Sequence, residues 1–595
     1  MLMLSRRRFL QSTAMALASA PLFGDDAAMA LTPRVVRYLE GLRKPDGGYG
    51  WSEQDDSYLT ETYAAIGALR LLEEEVPNPE AAEAFIRDGH PTLGPKRETR
   101  QHWADPKEFT YQQIQALLWL GRPADDFAGL VESWRTVSKY AAAYERRENP
   151  VLRFEAQPPL CRRLLGLPRE PIGRAFRPYF AARRRDNGSY NTTLTADGGD
   201  GHLVNTYHAL AALQAMGDEP DRGVVAWIQD CQLTDGGFSW QPNAPLGNVS
   251  DLSYALAAAR ILALFGQRPK DAPGLAAWLQ SLLNADGGFG DRPDAPSSAL
   301  ATFQVLETCR LLGVVLSAEQ TAPPRVEAAI PAELRAYAIQ FEAPGMGSTM
   351  DAVEIARNEG IHLWGAKNAS AAWIRDAQRR ADEQGVPVTF FVSNEEYGTS
   401  VSVPGLGDFT HVNDPIYPAE TALSPWSRRG GDWRQFWDEK LVPTEAAGGR
   451  MLWQICDHEC FGRVLLDESV LRARRGEPGG YAAISAFHFH CWNMAFATPY
   501  VMRYRHELPL IALQDAHGPP WFWRKELRSY RTLFLAAQPT WDGWLSALKN
   551  GWVVAVRQDA RTHGNLRMLG GSPEVRRAFE QRREQWLPLA SAEPQ

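Results

Sequence analysis

A pattern that returns about every 48 residues constrains this chain more than any other feature. A hydroxyl residue followed by an aromatic residue opens an apolar, Ala/Leu-rich stretch in five of six registers. The five pairs are Thr62-Tyr63, Thr110-Tyr111, Thr206-Tyr207, Ser253-Tyr254 and Thr302-Phe303. The sixth register falls near Pro158-Pro159 and lacks the pair. Spacing this regular indicates a repeat architecture in which each repeat is one supersecondary unit.

Several of these stretches follow an Asp-Gly-Gly-aromatic loop. Three loops and one variant begin at Asp46, Asp235, Asp286 and Asp186. Paired glycines permit positive φ and close backbone approach, so a helix ends there. In the clearest repeat, apolar residues at helical spacing run from Val224 to Leu233, and after a Gly-rich loop a second helix ends at Gly266. The sequence predicts six helical hairpins, with the apolar second helices inside a ring and the amphipathic first helices outside.

The loops DGGYGW, DGGFSWQP and DGGFGDRP and the helix YALAAARIL resemble the prenyltransferase and squalene cyclase repeat superfamily. The resemblance covers roughly residues 31–320 and implies an all-α (α/α)6 toroid whose central cavity often holds an isoprenoid. The tyrosine column then has two interpretations, core packing or an aromatic lining for an apolar small molecule or lipid. The candidate substrate-binding residues are Tyr63, Tyr111, Tyr207, Asp251 and Tyr254.

The zinc site of protein prenyltransferases is expected to be absent. In that family an Asp-x-Cys at the head of one inner helix and a His in the next repeat hold the metal. Here the first motif is Asp251-Leu252-Ser253, and a hydroxyl is a poor zinc ligand. The next repeat, Ser297 to Phe303, supplies no His, so Asp251 is interpreted alternatively as a helix N-cap. The Asp-x-Asp-Asp of the cyclases is approached only by Glu53-Gln54-Asp55-Asp56, which lacks the first Asp.

The start of the chain resembles a twin-arginine export signal. Ser5-Arg6-Arg7-Arg8-Phe9-Leu10-Gln11 precedes an uncharged stretch, and Ala28-Met29-Ala30 offers a cleavage site. We therefore interpret residues 1–30 as a signal peptide and expect a periplasmic or extracellular protein. The apolar stretch is too short for a membrane anchor, and no other segment predicts a transmembrane helix. The net charge of −8 argues against nucleic acid as a partner.

The second half of the chain changes period. Residues 321–335 are Pro-containing and predict a linker, and residues 571–595 predict a C-terminal helix and tail. Between them, in 336–570, β-type runs alternate with helical runs, which implies a parallel α/β layout. Asp515-Ala516-His517 directly follows the predicted strand Leu508–Gln514. This segment and Trp541–Ala555 resemble the polymerase and histidinol phosphatase (PHP) metallohydrolase family, which implies an α/β barrel-like domain.

This second resemblance implies a metal centre, although two family motifs are changed. The first-strand His-x-His is Gln340-Phe341-Glu342, and the Asp-His after the second strand is Ala366-Lys367. We therefore expect one divalent ion, zinc, manganese or iron, in place of a trinuclear cluster. Its candidate ligands are Glu396, His411, His458, Asp515 and His517. Asp515, His517 and Lys367 are the candidate catalytic residues, with Lys367 as a substitute cation and the metal as the source of a hydroxide nucleophile.

Three functions stay open at the level of sequence, and whether the chain is an enzyme stays open with them. The first is an exported toroid protein that binds an apolar or isoprenoid-like ligand without the prenyltransferase zinc site. The second is a metal-dependent, phosphoesterase-like hydrolase that acts through the PHP-like domain. The third is a non-enzymatic scaffold. The first is favoured because both family sites have lost ligands.

Overall fold

The computed structural model describes residues 25–88, 106–137, 152–317, 329–394, 400–410, 413–418, 431–453, 459–488, 501–514, 523, 527–558 and 566–587. These residues form two compact units. One takes in the described residues up to 317 together with Pro404–Leu406, and the other takes in the remaining residues from 329. Each is described below by itself. The export motif and the candidate metal ligands lie outside the described residues: Ser5–Gln11, Glu396, His411, His458, Asp515 and His517.

The first unit is built of helical hairpins, each with an outer and an inner helix. The outer helices in the described part of the chain are α1 (Asp25–Gly41), α3 (Pro79–Asp88), α5 (Ala128–Ser133), α7 (Glu170–Ala181), α9 (Val224–Asp230) and α11 (Ala272–Gln280). The inner helices are α2 (Leu59–Leu71), α4 (Pro106–Trp119), α6 (Leu152–Leu165), α8 (Leu203–Ala215), α10 (Leu252–Leu264) and α12 (Ala299–Leu312). Short 3-10 turns lie at Asp125–Phe127 and Thr195–Asp197.

The six inner helices close into a ring. Each packs against the next in chain order, and α12 packs against α2. At this last junction the backbone N–H of Leu300 donates to Glu61 of α2 at 3.3 Å. The inner helices are buried because they meet neighbours on three sides, as α10 shows with nine buried residues among its thirteen. The predicted ring of inner and outer helices is therefore present.

The Asp-Gly-Gly loops make the same contacts in three repeats. The carboxylate of Asp46 accepts the backbone N–H of Gly48 at 3.0 Å and the hydroxyl of Ser57 at 2.5 Å. The equivalent bonds join Asp235 to Gly237 and Ser250, and Asp286 to Gly288 and Ser297. Each serine lies at the entry to an inner helix, so the carboxylate ties the turn to the helix that follows.

The first glycine of each loop is required by space as well as by backbone angle. Gly47, Gly236 and Gly287 have φ of 91, 93 and 90°. A Cβ on Gly236 would lie 2.2 Å from the carbonyl carbon of Gly274 in α11. A Cβ on Gly287 would lie 2.7 Å from the carbonyl oxygen of Arg34 in α1. Because each loop packs on the next outer helix and the last packs on the first, the outer layer closes as well.

The hydroxyl column ties inner helices to their loops. The side chains of Thr62, Thr206 and Thr302 accept the N–H of the loop aromatics Tyr49, Tyr190 and Phe289 at 2.9, 2.9 and 3.2 Å. Each threonine lies four residues after the residue that precedes its helix, and in α10 that position is Ala255. Ser253-Tyr254 therefore lies two residues too early to belong to the column, and the aromatic position of this repeat is Leu256. Ser253 follows Thr206 by 47 residues, which is close to the repeat length, and this spacing placed it wrongly in the column.

The second unit is a ten-stranded sheet in the described residues, with the order β10-β9-β8-β6-β3-β2-β1-β11-β12-β13. Its strands are β1 (Arg335–Ala343), β2 (Leu363–Lys367), β3 (Thr389–Ser393), β6 (Asn413–Tyr417), β8 (Arg450–Trp453), β9 (Tyr481–His488), β10 (Leu510–Leu513), β11 (Tyr530–Ala536), β12 (Val553–Arg557) and β13 (Arg567–Leu569). A smaller sheet contains β4 (Ser400–Val403), β5 (Gly407–Thr410) and β7 (Gly431–Asp432).

Helices cover this sheet between its strands. They are α13 (Thr349–Glu359), α14 (Ala371–Glu383), α15 (Trp433–Phe436), α16 (Val442–Ala446), α17 (Glu459–Arg475), α18 (Trp541–Asn550), α19 (Pro573–Gln581) and α20 (Arg583–Trp586), with a π-helical turn at Trp437–Leu441. The sheet nearly closes into a barrel, because the backbone N–H of Gln514 donates to Phe341 at 3.3 Å and that of Ala512 donates to the hydroxyl of Thr532 at 2.9 Å.

The expectation of a parallel layout is met by only part of the sheet. The pairs β1/β2, β2/β3, β8/β9 and β9/β10 are parallel, as the alternation of strands and helices predicts. β6 pairs antiparallel with β3 and β8, and β11 pairs antiparallel with β1 and β12. Neither β6 nor β11 was among the strands predicted from the sequence, and these two insertions reverse the direction of pairing.

Candidate functional site

The inside of the ring carries an aromatic cluster contributed by three inner helices. Tyr63 of α2 stacks on Trp119 of α4 with ring centroids 4.9 Å apart, and Phe303 of α12 meets each of them at 5.6 Å. Gly67 makes room for the cluster, because a Cβ there would lie 2.6 Å from the Phe303 ring and 2.8 Å from the Trp119 ring. The cluster gives the ring an apolar wall.

An ion pair faces the same interior. Arg260 of α10 donates from Nε and Nη2 to the two carboxylate oxygens of Glu307 in α12, at 2.9 and 2.6 Å. The guanidinium carbon lies 4.9 Å from the centroid of the Tyr207 ring in α8, a cation–π arrangement. Arg260 and Glu307 both lie nine residues after the residue that precedes their helix, so they occupy equivalent positions in neighbouring repeats.

The side chains inside the ring keep accessible surface. The side chains of Arg260 and Glu307 retain 23% and 19% of their exposure, and Tyr111, Tyr207 and His208 are partly exposed too. Burial nevertheless raises the pKa of Tyr63 and of Tyr111 well above the usual tyrosine value. Burial also lowers the pKa of His208 well below its usual value, with help from Arg153 and Arg260. Accessible surface together with strong desolvation is expected of residues that line a cavity inside the ring.

The hydroxyls of the tyrosines inside the ring can form further hydrogen bonds. Tyr63, Tyr111 and Tyr207 lie near one another. Ionisation of Tyr111 or Tyr207 would raise the pKa of Tyr63, and ionisation of Tyr207 would raise the pKa of Tyr111. Their hydroxyls make no hydrogen bond to the described residues, and neither does Nη1 of Arg260. These groups are therefore able to bind water or the polar part of a ligand.

Two further ion pairs join α4 to α6. Lys107 donates to Glu155 at 2.9 Å, with side chains 8% and 1% exposed. Arg153 contacts Glu108 at 2.9 Å, with side chains 12% and 18% exposed. The α6 repeat lacks the hydroxyl-aromatic pair, and these ion pairs connect it to its neighbour instead.

Asp251, the one retained residue of the zinc motif, has other partners. Its Oδ1 accepts the backbone N–H and the hydroxyl of Ser253 at 2.9 and 2.7 Å, which makes it the N-cap of α10. Its Oδ2 accepts Nε of Arg292 at 3.2 Å, and both side chains are buried. A cationic guanidinium beside the carboxylate disfavours a zinc ion there, so these residues do not fit the metal. Tyr254 is fully buried, with its ring 5.7 Å from that of His202.

The second unit brings buried polar residues together at the carboxyl ends of β1, β2 and β3. Lys367 Nζ lies 3.9 Å from Glu342 Oε2, with side chains 9% and 0% exposed. The hydroxyl of Ser393 accepts the backbone N–H of Glu342 at 3.0 Å and donates to the carboxylate of Asp414 at 3.4 Å. Glu342 has a φ of 48°, a left-handed conformation that costs free energy for a residue other than glycine.

The candidate metal centre is untested. Glu396, His411, His458, Asp515 and His517 lie outside the described residues, so the structure says nothing of whether they meet. Among the residues that are described, no group of three His, Cys, Asp or Glu side chains is placed to hold an ion. Lys367 is the only member of the predicted catalytic set whose position is described.

Arg260 and Glu307 were not singled out from the sequence, although a signal was present. Each is a charged residue in the middle of an otherwise apolar inner helix, LSYALAAARILAL and ALATFQVLETCRLL. Their 47-residue separation matches the repeat, which would have placed them side by side.

Comparison with known proteins supports the toroid. A model of the prenyltransferase alpha-alpha toroid domain matches residues 8–103 and 163–333. Among solved structures, protein geranylgeranyltransferase-I of Candida albicans, complexed with GGPP, is 16% identical with a TM-score of 0.37, and the match covers 47% of this chain and 91% of that chain. The type II terpene cyclase MstE of Scytonema is 14% identical with a TM-score of 0.31, covering 48% and 97%.

A two-domain protein from Bacteroides vulgatus, described as containing a PHP-like metal-dependent phosphoesterase, is 14% identical with a TM-score of 0.29, covering 44% of this chain and 75% of that chain. A search of curated proteins finds none that matches. None of the helices in the described ranges combines the length and apolar character needed to cross a bilayer. The helical unit is thus an α/α toroid that matches the prenyltransferase toroid model, and the second unit is a nearly closed, barrel-like mixed sheet.

Proposed function

We propose that the toroid binds an isoprenoid-like, largely apolar small molecule in the cavity enclosed by its inner helices. The observation that carries the proposal is the aromatic wall of Tyr63, Trp119 and Phe303 beside partly exposed but desolvated residues inside a closed ring. An enclosed cavity with aromatic walls and a few polar groups suits a ligand that is mostly hydrocarbon. The match to the toroid family supports the same class of ligand.

Filling the cavity tests this proposal. Ala211 of α8 contacts the cluster of Leu160, Tyr111 and Tyr207 inside the ring and is only 9% exposed. Ala211→Phe should reduce binding of the neutral probe geranylgeraniol at least tenfold, because the added ring takes space that the ligand needs. Ala277→Phe, on the exposed face of the outer helix α11, is the matched control and should bind as the natural protein does.

Circular dichroism of both variants establishes that each is folded before binding is compared. Native mass spectrometry of the freshly purified protein should also show a bound hydrocarbon-rich molecule, which Ala211→Phe should lose. If the natural protein binds no isoprenoid alcohol and carries no such molecule, the proposed function is wrong.

We propose as a second candidate that the C-terminal unit acts as a metal-dependent hydrolase. The specific observation is the buried Glu342–Lys367 pair at the carboxyl ends of adjacent parallel strands, with Glu342 held in a left-handed conformation. Active sites of α/β proteins gather at such strand ends. One zinc, manganese or iron ion held by Glu396, His458, Asp515 and His517 would supply an activated water.

Metal analysis of the purified protein separates the two candidates. About one equivalent of metal, lost in Asp515→Ala while helical content is unchanged, supports the hydrolase. A metal-free protein that retains a bound lipid supports ligand binding by the toroid alone. A protein with neither metal nor lipid favours a scaffold.

A further inference from the structure

The polar groups inside the toroid are biased toward hydrogen-bond donors. A phenol hydroxyl can donate one hydrogen bond, and a guanidinium Nη1 carries two N–H groups. The hydroxyls of Tyr63, Tyr111 and Tyr207 and Nη1 of Arg260 make no hydrogen bond to the described residues. A ligand made only of hydrocarbon would cover these groups and leave all four unsatisfied, which is costly. Their natural complement is a ligand oxygen with several lone pairs.

The charge around these donors selects the kind of oxygen group. The guanidinium of Arg260 is paired with the carboxylate of Glu307, and Arg163 brings a second guanidinium near Tyr111. Their charges add to one positive charge, since +1 and +1 and −1 leave +1. Arg163 itself donates to Gln214 at 3.5 Å, so it stands beside α8 at the same side of the ring as Tyr207.

A single negative charge balances this set, whereas a diphosphate does not. A diphosphate would bring at least two charges next to Glu307, and like charges in a low-dielectric cavity repel strongly. A carboxylate brings one charge and two acceptor oxygens. One oxygen can accept from Nη1 of Arg260, since Nε and Nη2 already bind Glu307, and the other can accept from tyrosine hydroxyls.

We propose that the toroid ligand is an isoprenoid-like carboxylic acid whose carboxylate is bound inside the ring by Arg260, Tyr111 and Tyr207, an inference that rests on the proposed function. The hydrocarbon chain then lies against the aromatic cluster of Tyr63, Trp119 and Phe303. A site for a pure hydrocarbon would bind no polar group. Here both the carboxylate and the hydrocarbon tail of the ligand lie inside the ring.

A matched pair of probes tests the inference. Geranylgeranoic acid and geranylgeraniol share one hydrocarbon chain and differ only in the terminal group. The delipidated full-length protein should bind the acid at least tenfold more tightly than the alcohol. Tyr111→Phe and Tyr207→Phe remove only a hydroxyl, and each should weaken binding of the acid several-fold and by a larger factor than binding of the alcohol.

Arg260→Met should abolish the preference for the acid. Because this variant leaves Glu307 without its partner, the double variant Arg260→Met/Glu307→Met provides a second test with no buried lone charge. Arg177→Met is the control for the loss of one arginine, since Arg177 lies on the outer helix α7 with 41% exposure and pairs with Asp218.

The possible outcomes separate the two proposals. Equal binding of acid and alcohol, or tighter binding of the alcohol, overturns the carboxylate inference and leaves the proposed function standing. Failure of both probes to bind overturns the proposed function. A preference for the acid that survives Arg260→Met and the double variant shows that the carboxylate is bound elsewhere and also overturns the inference.

Discussion

At the scale of single residues, the helical unit contains buried ion pairs, among them Asp251 with Arg292 and Lys107 with Glu155. Asp251 illustrates the consequence for function, because its carboxylate is committed to Ser253 and Arg292 and is therefore poorly suited to hold zinc. Removing one partner of a buried pair leaves the other charge uncompensated, which costs far more than losing a surface pair. The identity of one side chain, Ser253 in place of a thiolate, thus changes both the chemistry and the energetics of this helix end.

Asp251→Asn should lower the free energy of unfolding of the helical unit by about 3–5 kcal/mol, because it removes one charge of a buried ion pair. The control is Asp221→Asn. Asp221 pairs with Arg184 at a site where both side chains are 40–49% exposed, and its loss should cost at most about 1 kcal/mol. Urea unfolding followed by helical circular dichroism measures both. Similar costs for the two variants would show that the Asp251–Arg292 pair contributes little. We also expect Asp251 to bind no zinc in equilibrium dialysis.

His362 in the second unit should make stability depend on pH. Burial, with Arg531 nearby, lowers its pKa to about 4, while an unfolded histidine titrates near 6.5. Between these values the unfolded chain binds the proton more readily, so the stability present above pH ~6.5 is lost as the pH falls toward ~4. The gap corresponds to at most about 3 kcal/mol. His362→Gln keeps an acceptor for the Ala338 N–H and should flatten the pH dependence of urea unfolding in this window. Curves that stay parallel would contradict the assignment.

At the scale of elements, the repeat could be predicted from the sequence because one set of contacts is made again and again. The Asp-Gly-Gly loops and the threonines that bond to them leave a signature at fixed spacing. The register of α10 could not be predicted, since Ser253-Tyr254 imitates the pair while the true column position is Ala255. The interior ion pair of Arg260 and Glu307 escaped because each residue looks unremarkable in its own helix, and only the ring brings them together.

The second unit could be predicted from the sequence only in part. Its parallel strands and their helices follow the alternation of the sequence, whereas β6 and β11 enter between them with antiparallel pairing. Pairing direction depends on long-range closure of the sheet, which local patterns do not encode. The folded sheet places Glu342 of β1 next to Lys367 of β2. From the sequence, these residues were recognised only as members of two changed family motifs, and their contact was not predicted.

Two glycines of the helical unit allow a controlled test of loop packing. Gly236→Ala should destabilise this unit by several kcal/mol, because φ is +93° and the new Cβ would lie 2.2 Å from the backbone of Gly274. Gly266→Ala shares the left-handed backbone, with φ of +62°, but its Cβ would meet nothing within 4 Å. It should cost only about 1 kcal/mol. Equal effects in thermal unfolding would mean that the loop shifts to accommodate the methyl group.

At the scale of the whole molecule, closure of the ring decides how a ligand is acquired. The last inner helix, α12, packs on the first, α2, and the last loop packs on the first outer helix. The ring is therefore complete only when the first and last repeats are joined. The proposed ligand site therefore forms only when the helical unit has folded. The twin-arginine pathway transports folded cargo, and the motif at Arg6-Arg7 suggests that route.

We therefore expect the protein to be exported with its ligand already enclosed. Changing the motif with Arg6→Lys and Arg7→Lys should leave an uncleaved precursor in the cytoplasm, because the pathway requires the paired arginines. Protein purified from the two compartments should carry the same ligand in the same amount, measured by native mass spectrometry. A substitution that keeps both arginines, Gln11→Asn, should export normally and serves as the control. Export that persists in the double variant would exclude the twin-arginine route, whereas a retained protein that is empty would show that the toroid acquires its ligand after transport.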